Sequence, residues 1–281
     1  KLNSLYKKTM RNYLLLASFL FSIYSFAQWV NHKYINLEPA SLVATYLLHM
    51  QEDSTNQNNI RKAKFLLFIG ANVSEFVHLY KFINDTAIRR FTTDYQVISY
   101  LANPQANIPN ALYRIYKNYP KGKLTFTDHI PSETYRYEEP LDIFNWQLTG
   151  DTATVCGYKS QKATCDFGGR SWVAWFAPEL PYSDGPYKFN GLPGLIVKVG
   201  DTRDHYVFEL LSLKKNVPGV MIEMEDKDYV KTTKFGFFKA WDSFRADIVN
   251  RAKQYSKDND SQQVLARNVA KDNNPIELIR K

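Results

Sequence analysis

The stretch "KATCDFGGRSWVAWFAPEL", residues 162–180, decides the fold class. Read at a period of two, Ala163, Cys165 and Phe167 share one face of an extended segment. Gly168-Gly169 follows, and two glycines tolerate the positive φ angles of a two-residue hairpin turn. The chain returns with Trp172, Ala174 and Phe176 on one face and Val173 and Trp175 on the other. Large apolar groups on both faces predict a central strand covered on both sides rather than an edge.

Just downstream, "GPYKFNGLPGLIVKV" (185–199) concentrates turn chemistry before an apolar run. Asp184-Gly185-Pro186 closes one turn and Asn190-Gly191 opens the next. Leu192 precedes Pro193 and is pushed toward extended backbone. Leu192-Pro193-Gly194-Leu195 fits a type II turn, and "LIVKV" leaves it as a strand. A phosphate cradle is the rival reading. It lacks both G-x-G-x-x-G and G-K-[ST], and a strand rather than a helix follows.

Upstream, "SLVATYLLHMQ" (41–51) reads as a long strand and residues 52–63 as a polar loop. Residues 64–80 read as a strand, a break at Gly70-Ala71-Asn72, then a second strand or short helix. Residues 84–121, rich in Asn, Pro and Tyr, predict a long irregular excursion with a short helix at 110–118. "KLTFTDHI" and "ETYRYEE" alternate as half-buried antiparallel strands do, and "IFNWQLTGD" is a further strand turning at Thr149-Gly150-Asp151. Near the other end, Phe237, Trp241, Phe244, Ile248, Ala252 and Tyr255 form one apolar stripe at helical spacing over 232–255. The sum is an α+β, β-rich domain spanning 28–255, with a C-terminal helix packed on an antiparallel sheet and a polar tail at 256–281.

Residues 1–27 are set apart. A basic Arg11, an apolar stretch from Tyr13 to Tyr24 and the small-residue site Ser25-Phe26-Ala27 make a signal peptide that starts at Met10, behind extra upstream residues. The expectation is an exported chain, periplasmic or extracellular, with no stable membrane span after cleavage. These residues hold four basic and no acidic groups, so without them the net charge falls from +8 to +4. No Lys/Arg stripe with interleaved aromatics points to nucleic acid. Export places Cys156 and Cys165 in an oxidising compartment. On one strand they stand roughly 30 Å apart at about 3.3 Å per residue, which favours two free thiols.

The catalytic search is short. The five histidines show no H-x-x-x-H or H-E-x-x-H, and no G-x-S-x-G is present. "DKD" (226–228) and "DND" (258–260) lack the Gly and Glu of a calcium loop. No metal or cofactor is read from the sequence.

"GLPGLI" (191–196), within a wider block from Cys156 to Asp201, resembles the signature of the GLPGLI family of secreted Bacteroidetes-type proteins, and "NPIEL" (274–278) resembles that family's usual end. The resemblance implies a curved antiparallel sheet, open or half-barrel, similar to envelope lipoprotein carriers. It brings no established activity and therefore no catalytic residues.

In that block, Arg170, Asp184 and Lys188 stand beside Trp172, Trp175, Tyr187 and Phe189. They form either a polar rim around an aromatic-lined cleft or structural ion pairs at hairpin ends. Two functions follow. The first is an exported envelope protein that binds an apolar small molecule or a partner protein or peptide without catalysis. The alternative is a hydrolase whose site is assembled from dispersed residues such as Asp184, Asp204 and His205.

Overall fold

A computed structural model describes residues 33–103, 109, 111–131, 133–255 and 271–279. The expected signal segment and residues 256–270 of the expected tail lie outside the described residues. The elements in chain order are β1 (Lys33–Pro39), β2 (Leu42–Met50), β3 (Arg61–Ile69), β4 (Ser74–His78), α1 (Leu79–Ile88) and α2 (Asp94–Leu101). Then come β5 (Arg114–Lys117), β6 (Lys123–Ile130), β7 (Glu133–Pro140), β8 (Gln147–Val155), β9 (Tyr158–Phe167) and β10 (Arg170–Ala177). The rest are β11 (Leu195–Asp201), β12 (Tyr206–Lys215), β13 (Met221–Asp226), β14 (Val230–Lys231) and α3 (Lys234–Tyr255).

Among the described residues twelve strands form one sheet in the order β14-β7-β6-β5-β4-β3-β2-β12-β11-β10-β9-β8. Neighbours run antiparallel except β14, which lies parallel to β7. The sheet is open but strongly curled. Flat, nine steps of about 4.8 Å would put β7 and β9 roughly 43 Å apart. Yet the Lys188 Nζ lies 5.2 Å from the Tyr137 ring of β7 and 5.9 Å from the Phe167 ring of β9. The sheet wraps a single aromatic core on its inner face.

The inward residues obey the period of two. Leu42, Ala44, Tyr46, Leu48 and Met50 of β2 are all buried, while the residues between them are half-buried. The outer face of β2–β4 has its own smaller core, in which Leu66, Phe68 and Val77 meet Ile222 of the β1–β13 ribbon and Phe82 of α1. In β10, Trp172, Ala174 and Phe176 are fully buried, but Val173 and Trp175 are half-buried. The expected cover on both faces is therefore complete on the inner face alone. Helix α3 is capped by the Thr233 hydroxyl, which accepts from the Gly236 N–H at 3.1 Å. It packs on β6 and β7, with Phe237 within 6.0 Å of the Phe126, Tyr135 and Tyr137 rings.

Four local expectations are corrected. The 84–121 region, expected to be irregular, holds the second half of α1 and all of α2, and the helix expected at 110–118 is the strand β5. All four β5 residues are buried on both sides, because Arg114 and Lys117 find buried carboxylates at Glu75, Asp85 and Asp184. Thr149-Gly150-Asp151 does not turn; it lies within β8 at a break in register, and the hairpin to β9 closes at Cys156-Gly157. The 192–195 turn is tighter than type II, since the Gly194 N–H donates to Leu192 O at 2.8 Å. Gly194 is required there because a Cβ would lie 2.4 Å from the Ala177 carbonyl oxygen.

Candidate binding site

The loop between β10 and β11 folds into the mouth of the curled sheet and carries Asp184, Lys188 and Phe189 inward. Its burial is paid for by cations and carboxylates at fixed points. Asp184 pairs with Lys117, which also donates to the carbonyl oxygens of Gly185 at 2.5 Å and Phe189 at 3.2 Å. Burial pulls the Lys117 ammonium below its ordinary pKa, and Asp184 offsets part of that pull. The glycine at 185 lets the loop press on β11, for a Cβ there would be 2.8 Å from the Ile196 Cβ.

Lys188 is fully buried inside a ring of aromatics: Tyr137, Phe126, Tyr187 and Phe167 lie 5.2–5.9 Å from its Nζ. Its ammonium pairs with Glu139 and, at 2.7 Å, with Glu277. Lys234 at the start of α3 touches the same two carboxylates, at 3.1 and 2.5 Å. Tyr187 donates to Glu277 at 2.6 Å. Burial raises the Glu277 pKa, but Lys188 and Lys234 outweigh it and hold the carboxyl below its usual range.

Glu277 belongs to the segment 271–279, which runs across the open side of the core. Arg170 grips this segment. Its guanidinium donates to Asn274 Oδ1 at 2.6 Å, Pro275 O at 2.7 Å and Ile276 O at 3.0 Å, while Asp201 holds its other edge at 2.8 Å. Tyr206 donates to Asn274 O, and the Asn274 amide donates to Gln51 O. The Gly168-Gly169 hairpin, with φ +61° and +81°, receives the Leu278 and Ile279 N–H groups on the Gly168 carbonyl. A Cβ on Gly169 would lie 2.9 Å from Ile279.

The structure thus gathers Arg170, Trp172, Lys188 and Phe189 on one inner wall. Trp172 meets Phe189 edge-on, with ring centroids 4.7 Å apart and both side chains fully buried. Phe144, Phe167, Tyr187 and Phe208 fill the remaining space around Phe189. Trp175, half-buried on the opposite face of β10, touches the margin of the same core, and Asp184 is tied to the Phe189 end of the loop through Lys117 and its bridge to Asn190. The dispersed trio does not converge: Asp184 is bonded to Ile196, whereas His205 lies 3.3 Å from Arg170 at the Asp201 end of β11, about 16 Å along that strand. An opening of about 470 Å³ lies beside Trp172, lined by Asn145, Gln147, Thr164, Asp166, Ser171 and Thr202 among others. It adjoins β8, whose one strand partner among the described residues is β9.

Sequence reasoning missed two features. Glu139 and Glu277 are the carboxylates that neutralise Lys188; Glu277 lies in "NPIEL", which only the family resemblance marked, and no local pattern marks Glu139. Asp128, on the inward side of β6, is half-buried, and burial pushes its carboxyl up to about 7 against the opposing pull of the His129 N–H and Lys81. Among the described residues no cluster of three or more His, Cys, Asp or Glu could hold a metal ion, and no helix is long and apolar enough to cross a membrane.

The family profile that matches covers only part of this wall. Residues 169–198 match the family described as "Protein of unknown function (Porph_ging)". The match takes in Arg170, Trp172, Asp184, Lys188 and Phe189, the residues that line the loop and its clamp. No curated protein matches the chain. Among solved structures it is similar to PNGF-II in the P21 crystal form, with TM-score 0.51 and 12% identity over 73% of this chain and 34% of that one. The C2 form of PNGF-II gives TM-score 0.50 and 13% identity, over 73% and 33%. At that identity the likeness concerns the fold alone, and this chain spans about a third of the length of those structures.

Proposed function

We propose that the chain is an exported, periplasmic or extracellular binding protein of the GLPGLI type, without catalysis, and that it takes a protein or peptide partner rather than a free apolar molecule. The observation that carries this reading is where space is left. The inner wall around Trp172 and Phe189 is filled by the protein's own rings, while β8, nine residues long, is an edge strand among the described residues and mostly exposed, with Leu148 54% accessible. A long exposed edge is ordinarily covered or blocked, because its free N–H and C=O groups accept a further strand. The opening beside Trp172, lined by polar and apolar groups alike, lies next to it and would receive side chains of that strand. The test is site-specific photo-crosslinking in the native envelope from Ala153 on β8, with Lys64 on β3 as control. Recurrent adducts to one protein from position 153 and none from 64 support the reading; equal or absent adducts at both oppose it.

A second reading, a hydrolase, draws support from Asp128. A half-buried carboxyl with a pKa near 7 suits general acid–base work at neutral pH. Hydrolysis of ester or glycoside probes that is lost in Asp128→Asn with an unchanged melting curve would favour it.

A further inference from the structure

The segment 271–279 is bound as a ligand is bound. It belongs to no strand of the sheet, and the twelve strands pair without it. What holds it is a set of backbone-directed and side-chain-specific contacts from the wall of the curled sheet. Arg170 and Tyr206 read the carbonyl groups of Asn274, Pro275 and Ile276, and Gly168 reads the N–H groups of Leu278 and Ile279. Asn274 is clamped between Arg170 and Gln51 O, and Glu277 is fully buried among Lys188, Lys234 and Tyr187.

The electrostatics point the same way. Without the segment the pocket that takes Glu277 holds two ammonium groups, Lys188 and Lys234, against one carboxylate, Glu139, while Arg170 is already paired with Asp201. A buried excess of positive charge is costly, and the groove therefore demands one carboxylate at the place Glu277 occupies. A ligand with an aspartate at that position would be one methylene short of Lys188. The proline at 275 suits an extended backbone and leaves its carbonyl free for Arg170.

We propose that this groove is a peptide-binding site in its own right, selective for an extended Asn-Pro-x-Glu segment, and that residues 274–277 are its resident ligand. The site is distinct from the β8 edge and does not rest on the reading given there. The occupant is the chain's own segment, and supply of the same residues by a second copy is an outcome of the test.

The experiment uses the full chain with a specific protease site inserted between Tyr255 and Lys271. After cleavage, a labelled peptide of residues 271–281 is titrated and followed by fluorescence polarisation and native mass spectrometry. The expected result is saturable one-to-one exchange of the cleaved segment for the peptide, with at least tenfold weaker binding for peptides carrying Glu277→Gln or Asn274→Ala. The uncut chain should take up the peptide far more slowly. If the cut chain unfolds when the segment leaves, refolding with added peptide should restore the melting temperature, and failure to restore it overturns the proposal. Loss of the segment without loss of fold and without peptide binding overturns it too, as does equal binding of the wild-type and Glu277→Gln peptides. Native mass spectrometry of the uncut chain separates the sources: a dimer that vanishes in Glu277→Gln assigns the groove to a second copy, and monomer throughout assigns it to the chain's own segment.

Discussion

Lys188, in the loop ahead of β11, and Glu277, beyond α3, meet at 2.7 Å with neither side chain reaching solvent. The contact joins the loop that fills the curled sheet to the segment that crosses its open side. Lys234 and Glu139 complete a four-membered ring of alternating charge, and Tyr137 and Tyr187 satisfy its edges. Breaking a buried pair by removing one partner leaves an uncompensated charge in a low dielectric, so each member of such a ring is individually costly to lose.

Arg170 tests whether the clamp depends on shape or only on charge. Lysine keeps the charge but cannot reach Asp201, Asn274, Pro275 and Ile276 at once, because it lacks the planar fork. Arg170→Lys should lower stability by about 2–4 kcal/mol in urea unfolding. A change below about 0.5 kcal/mol would mean that the guanidinium geometry is dispensable.

Gly194 and Lys198 separate a close backbone contact from a surface charge. A side chain on Gly194 must displace the Ala177 carbonyl, so Gly194→Ala should cost about 2 kcal/mol or more and Gly194→Val more again. Lys198 pairs with Glu209 at the surface, and Lys198→Ala should change stability by at most about 0.5 kcal/mol. Equal melting temperatures for Gly194→Val and wild type would contradict the tight turn.

The β content, the Gly168-Gly169 hairpin, the inward face of β10 and the α3 stripe from Phe237 to Phe244 were all legible in the sequence, because each rests on local periodicity or turn chemistry. The 84–121 region was less so. Its capping box, Thr93 with Gln96, is a readable helix start that the surrounding Asn and Pro residues masked. Strand β5 was not readable at all. "RIYK" carries two charged residues, and only the distant Glu75, Asp85 and Asp184 make it buried strand rather than surface helix. The candidate residues fell into the same pattern. Their grouping in one block, which Asp201 closes, could be seen, but the partners Glu139, Asn274 and Glu277 come from elements far along the chain.

Asp128 gives a pH signature. Its folded pKa, about 7, is raised above that of the unfolded chain, so the folded state binds the extra proton between about pH 4 and 7. Its contribution favours folding at the acid end of that window and is lost as the pH rises through it. Asp128→Asn should therefore flatten the dependence and stabilise the protein by about 1 kcal/mol at pH 8, a figure discounted for the part of the side chain that meets solvent. Parallel melting-temperature profiles for the two proteins from pH 4 to 8 would contradict the assignment.

The cysteines should differ sharply. Cys156 is exposed at the β8–β9 turn, whereas Cys165 is buried and its thiol is pushed up to about 12 by burial, with Asp166 adding to the rise. A thiol reagent at pH 8 should label one group in the native protein and two in denaturant. Two groups labelled at equal rates in the native state, or a mass two hydrogens short in the intact protein, would contradict this arrangement.

The central claim is that Lys188 and Glu277 act as one buried unit locking the loop to the final segment. A double-mutant cycle measures it directly, with Lys188→Met, Glu277→Gln and the pair compared by urea unfolding. Each single change should cost about 3–5 kcal/mol, and the double mutant should cost less than their sum by at least about 1.5 kcal/mol. Additivity to within about 0.5 kcal/mol would contradict the account.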